Sequence, residues 1–155
     1  MPIRLGLGGM IVVGLLSLLF HRNLFVLLNG GESPATGGGP TPKPNRSAPA
    51  NAVVVAGAVY VIDCGDGVAR QLVLAGLPLN ALKAVFVTHQ HSDHNADYGN
   101  LLLLSWAANL ASHVDTYGPP PLKEMTRLFL RRNAYDIQTR IADEGRPPLK
   151  DLIAV

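Results

Sequence analysis

The run Thr88-His89-Gln90-His91-Ser92-Asp93-His94 places three imidazoles and a carboxylate within six residues. Neutral imidazole nitrogens and carboxylate oxygens are the donors that a borderline cation such as zinc prefers, and a catalytic ion keeps one position free for water. His89 and His91 stand two apart, so at the end of an extended segment both reach one ion from the same side. Asp93 and His94, one turn further on, face a second ion. The pattern reads as a metal site.

Elements on either side must hold these donors in place. Ala84-Val85-Phe86-Val87 is a continuous apolar run of the kind buried in a sheet, and Gly99 to His113 carries Leu, Trp and Ala at helical spacing. The run therefore sits on a strand-to-helix loop. Ala52 to Ala56 and Ala58 to Ile62, joined at Gly57, read as a hairpin of buried strands. Val68, Leu72 and Ala75 share one face of a short helix that Gly76 ends, with Asp66 near its start. Leu122, Met125, Phe129 and Arg132 mark an amphipathic helix beginning after Pro121. The fold class is α/β.

Three further segments bear on this reading. Val61-Ile62-Asp63-Cys64-Gly65-Asp66-Gly67 is a strand closing in an Asp-Cys-Gly-acid-Gly turn, Tyr117-Gly118-Pro119-Pro120 is a strand end and loop, and Thr36-Gly37-Gly38-Gly39-Pro40-Thr41-Pro42 is a glycine-rich loop. Together with the histidine run, and in their order along the chain, they resemble the metallo-beta-lactamase-fold hydrolases, in the ribonuclease Z and arylsulfatase-like branch. The resemblance covers about residues 36 to 141. It implies that His89 and His91 hold a first zinc ion, that Asp93 and His94 hold a second, and that Asp63 lies behind them and orients the site. Two zinc ions roughly 3.5 to 4 Å apart hold a hydroxide as nucleophile and polarise a phosphoryl, sulfuryl or carbonyl group. Asp93 is also the catalytic candidate, since a carboxylate beside the nucleophile orients it and accepts its proton.

The same resemblance sets a limit. Such a site takes one more His for the first ion, a bridging Asp, and a further His for the second, and no His follows Tyr117 before the last residue, Val155. His113 matches no ligand position and reads as a surface residue. The implied fold is the N-terminal half of an αββα sandwich, and one sheet with its helices leaves an apolar face unpaired. Little activity is expected of this chain in isolation.

Residues 1–28 form a hydrophobic segment and 29–155 the partial domain. Leu5 to Phe20 is an uncharged stretch of 16 residues, short for a spanning helix and near the upper length of a secretory h-region. A signal peptide, a membrane anchor and a spurious extension ahead of a first strand at Leu24-Phe25-Val26-Leu27-Leu28 are all open. The compartment is periplasmic or membrane-anchored if the segment is genuine, and cytoplasmic otherwise. Cys64, the single cysteine, forms no internal disulfide in any compartment. Gly30 to Asn51 has the composition of a linker, or of a loop folded over the cleft in which Lys43 and Arg46 add positive charge. An apolar fraction of 48% argues against disorder.

Other residues have a bland reading beside the functional one. Asp66 shapes a turn and caps a helix rather than acting in chemistry. Cys64 is a small buried hydrophobe or a thiol near the metal. Arg131 and Arg132 are a solvated helix face before they are a phosphate site. Asp97 and Tyr98 either line the cleft or fill the loop. For the substrate, a net charge of +2 without a dense Lys/Arg cluster gives weak support to nucleic acid. Ser92 stands where tRNA-processing relatives usually carry Gly. That departure, together with the hydrophobic N-terminal segment, favours a small anionic ester, a sulfate or phosphodiester. The alternatives are a ribonuclease Z-like tRNA 3′-processing endonuclease and a non-catalytic membrane-associated remnant. A homodimer is a further expectation, since a partner copy could complete the site.

Overall fold

The computed structural model describes residues 25–26, 41, 47–110 and 112–155. Apart from Phe25–Val26, the hydrophobic segment 1–28 lies outside the described residues. So do all of the glycine-rich loop but Thr41, and both Lys43 and Arg46.

Six strands form one sheet: β1 (Phe25–Val26), β2 (Asn51–Val55), β3 (Ala58–Ile62), β4 (Leu82–Phe86), β5 (Val114–Tyr117) and β6 (Ile153–Ala154), side by side in chain order. The first two pairings are antiparallel and the other three parallel. Ala56 and Gly57, with φ of 49° and 86°, close the β2–β3 hairpin in a two-residue turn whose positive φ values match the right-handed strand twist. Phe25–Val26 lies within the stretch read as a first strand and pairs with β2.

Each parallel pair needs a crossover. Helix α1 (Val68–Leu74) joins β3 to β4; α2 (Ser92–Asn95) and α3 (Tyr98–Ala107) join β4 to β5; α4 (Leu122–Arg132) and α5 (Ala134–Glu144) join β5 to β6. Alternation along the strands divides the sheet into two faces. Val59, Val61, Val85, Val87 and Val114 are buried together with Val68 and Leu72 of α1 and Leu101 and Leu102 of α3. On the other face the register aligns Ile62, Phe86 and Tyr117. There Phe86 stacks on Tyr117 at 5.0 Å between centroids, and the two remain 37% and 54% exposed. This is the under-covered apolar face expected of one sheet of a sandwich.

Several helix boundaries differ from the sequence expectation. The helix expected to run to His113 stops at Ala107, because Asn109 turns left-handed at φ 69° and the Leu110 N–H returns to the Ser105 carbonyl. His113 is exposed just before β5. Ala75, expected on the buried face of α1, is exposed beyond its last turn, and Arg132 of α4 is likewise exposed. Asp66 makes no cap; Gly67 occupies the N-cap of α1 without a side-chain bond.

Packing between α3 and α4 depends on Gly99, where a Cβ would run into the Phe129 ring. Beside it the Tyr98 hydroxyl meets Thr126 Oγ1 at 2.8 Å. Trp106, Ile137 and Leu149 form a second buried cluster under α5. Trp106 Nε1 donates to the Pro147 carbonyl at 2.8 Å, and the Arg146 guanidinium lies 5.6 Å from the indole centroid.

Candidate metal centre

The site forms where β3, β4 and β5 end together. Asp63 N–H donates to the Phe86 carbonyl and Val87 N–H to the Tyr117 carbonyl, each at 2.7 Å. Immediately past β3 the backbone turns left-handed at Asp63, φ 64°, a conformation that Asp tolerates better than most residues. That turn buries the Asp63 carboxylate beneath the histidine run, at 5% exposure.

The run is fastened to this turn by backbone bonds. Cys64 N–H donates to the His94 carbonyl at 2.6 Å and Asp97 N–H to the Cys64 carbonyl at 2.9 Å. Gly65 permits the approach, since a Cβ there would overlap the Asp93 carbonyl oxygen and the Ala48 side chain. Asp97 Oδ2 accepts the Gly67 N–H at 2.8 Å. Asp97 therefore ties the run to the start of α1, and Tyr98 is buried in the core; both fill structural roles. On the far side Gln90 Nε2 donates to the Pro119 carbonyl at 2.6 Å and Asn95 Nδ2 to Gln90 Oε1 at 2.8 Å.

All four expected donors lie in one patch. His89 and His94 have ring centroids 4.0 Å apart and His89 and His91 4.8 Å apart. Asp63 Oδ2 lies 2.7 Å from His94 Nδ1. That bond leaves His94 Nε2 as the outward nitrogen, 3.7 Å from Asp93 Oδ2. Asp93 is itself buried at 8% exposure, whereas His91 is exposed. Asp63 Oδ1 also accepts the Thr88 N–H at 2.8 Å, and the Thr88 hydroxyl lies within 3.0 Å of both carboxylate oxygens and of His89 Nδ1. His113 does not join the patch; its carbonyl accepts from Lys83 Nζ at 3.4 Å, beyond the usual bond length.

Do these residues fit the zinc ions that the resemblance implies? The donor types suit zinc, and a carboxylate behind a ligating imidazole is its usual partner. The 3.7 Å between His94 Nε2 and Asp93 Oδ2 is close to the edge of about 3.3 Å in a tetrahedron with bonds near 2.0 Å. Yet among the described residues no group of three or more His, Cys, Asp or Glu side chains is arranged to hold an ion. The residues thus fit as part of a coordination shell and do not close one.

Cys64 is a buried thiol rather than a metal-facing one. Burial, then the Asp63 and Asp97 carboxylates, pushes its ionisation far above the ordinary range. Sequence reasoning gave no part to Thr88, Gln90 or Asp97 as an anchor. Thr88 adjoins the first histidine, but nothing in the spacing reveals its bond to a carboxylate 25 positions earlier.

The α/β sheet and the histidine strip at its strand ends define a class. Residues 46–154 match the metallo-beta-lactamase superfamily, and the chain belongs to it. Among named relatives it is similar to the Ribonuclease Z of Mycobacterium marinum, 38% identical over 117 residues, covering 72% of this chain and 42% of that protein. The Ribonuclease Z of Mycolicibacterium paratuberculosis is 35% identical over 121 residues, covering 74% and 43%. Among solved structures, the short form of human tRNase Z superposes with a TM-score of 0.58 at 25% identity, over 70% of this chain and 39% of that one. The chain thus spans less than half the length of these relatives.

Proposed function

We propose that this chain carries the N-terminal metal-ligand strip of a ribonuclease Z-like hydrolase that cleaves phosphodiester bonds in RNA. The observation that carries the reading is the coincidence of two things: relatives at 35–38% identity that share the name Ribonuclease Z, and a strand-end patch whose donors lie against one buried carboxylate. These relatives favour RNA over the small sulfate or phosphate ester that Ser92 and the hydrophobic segment suggested. Ser92 is exposed at the start of α2, where an added hydroxymethyl group meets no steric objection.

His89 and His91 would hold one zinc ion, and Asp93 and His94 another. When bound, zinc supplies Lewis acidity to a phosphoryl oxygen and lowers the pKa of water. Asp93 orients the attacking water and accepts its proton, for which its buried carboxylate lies beside His94 Nε2. Asp63 holds the His94 ring, and Gln90 and Asn95 fix the loop between the ligands. The described residues contribute no closed site, so one or more further ligands come from another segment or a partner.

Zinc affinity and stoichiometry of the purified chain test the metal centre, with His89→Ala and Asp93→Ala beside it. Binding weakened at least tenfold in both variants supports the reading; zinc binding indifferent to both overturns it. A pre-tRNA with a 3′ extension and an aryl sulfate, offered to preparations that bind zinc, separate the substrate classes. Chelator-sensitive cleavage of the sulfate alone would sink the RNA assignment.

A further inference from the structure

Thr88 stands between the buried carboxylate and the first histidine, and the directions of its hydrogen bonds are constrained. As a carboxylate, Asp63 only accepts. The Thr88 hydroxyl has one hydrogen and lies 2.9 Å and 3.0 Å from the two Asp63 oxygens. Donation there leaves the hydroxyl oxygen as an acceptor, and the atom facing it is His89 Nδ1 at 3.0 Å. His89 must then carry its proton on Nδ1. His94 Nδ1, 2.7 Å from Asp63 Oδ2, must carry its proton there too. Two rings separated in sequence are thereby set to the same tautomer by one carboxylate, directly at His94 and through a hydroxyl at His89.

We infer that Thr88 is a positioning residue that relays Asp63 to His89, so that Nε2 is the lone-pair nitrogen of His89 as it is of His94. The two rings are neighbours, with centroids 4.0 Å apart and planes tilted by 50°. The opposite arrangement, Thr88 donating to His89, would withdraw from Asp63 a donor placed at 2.9 Å. It would also leave His89 protonated on the nitrogen offered to the site. Thr88 touches no reacting atom in this account; it acts through His89. Its purpose rests on the metal-centre reading, whereas its geometry does not.

The test is long-range ¹H–¹⁵N correlation of the imidazoles in the full chain, metal-free and at alkaline pH, for the parent protein, Thr88→Val and Thr88→Ser. The relay expects Nδ1–H at both His89 and His94 in the parent. In Thr88→Val, His89 shifts toward Nε2–H while His94 is unchanged, and Thr88→Ser restores the parent pattern. Zinc affinity should fall by about tenfold or more in the valine variant and recover in the serine variant. An unprotonated His89 Nδ1 in the parent overturns the relay, and so does a His89 tautomer indifferent to the valine change. Should Thr88→Val fail to fold, the parent spectrum alone still decides. Because the spectra need neither metal nor substrate, a protein that keeps the tautomers but binds zinc indifferently to His89→Ala and Asp93→Ala defeats the metal-centre reading and leaves the relay standing.

Discussion

Asp63 and His94 are 31 positions apart in sequence and 2.7 Å apart in the folded protein. The contact joins the end of β3 to the last residue of the histidine run, and it places a carboxylate where it holds a ring rather than where it meets solvent.

Replacing Asp63 by Ala strips the acceptor from the Thr88 N–H, the Thr88 hydroxyl and His94 Nδ1 together. Leaving such donors unpaired costs about 1–3 kcal/mol, and zinc affinity should drop by roughly 10–100-fold. Asp63→Asn keeps one acceptor oxygen and tolerates the left-handed backbone, so its loss should be smaller. Urea unfolding and zinc titration of the two variants check the order; no loss of zinc affinity in either variant would mean that the carboxylate is not what holds the rings.

Gly65→Ala forces a methyl group into the Asp93 carbonyl oxygen and the Ala48 side chain. Overpacking of this kind costs about 1–3 kcal/mol, and here the backbone of the ligand run must move. A lowered melting temperature together with weakened zinc binding is expected. By contrast Gly57→Ala meets open space and should lose only the strain of its positive φ, with binding unaltered.

The Cys64 thiol is driven toward its neutral form by burial, with Asp63 and Asp97 acting in the same direction. Since the thiolate is the reactive species, iodoacetamide at about pH 8 should leave the native protein unlabelled and label it rapidly in urea. The linkage follows the same sign. A folded-state pKa raised above the unfolded value of 9.0 gives stability that is present below that pH and declines as pH rises past it. Cys64→Ala should flatten that alkaline decline.

Tyr98→Phe removes the partner of Thr126 Oγ1 between α3 and α4, while Thr126 keeps its bond to the Leu122 carbonyl at 2.9 Å. A destabilisation of about 0.5–1.5 kcal/mol is expected, with zinc affinity unchanged because no ligand moves. Loss of zinc binding in this variant would show that α3 packing, not the strand-end turn, sets the ligand geometry.

Sequence by itself determined the parts whose cause is local. The apolar runs Ala52 to Ala56 and Ala58 to Ile62 read as strands joined at Gly57, a hairpin that the structure forms with Ala56 drawn into the turn, and three histidines with an aspartate in six residues marked a candidate metal-binding strip. What it left open required partners distant in the chain. Helix α3 ends at Ala107 through a left-handed Asn109 that apolar spacing does not announce. Asp66, the expected cap, makes none, while Asp97, 30 positions after Gly67, accepts that residue's N–H. Thr88 gains its role only because the turn at Asp63 brings a carboxylate under it. Residue types fix which donors are present; only the packing of one strand end against the next decides which nitrogen each ring offers.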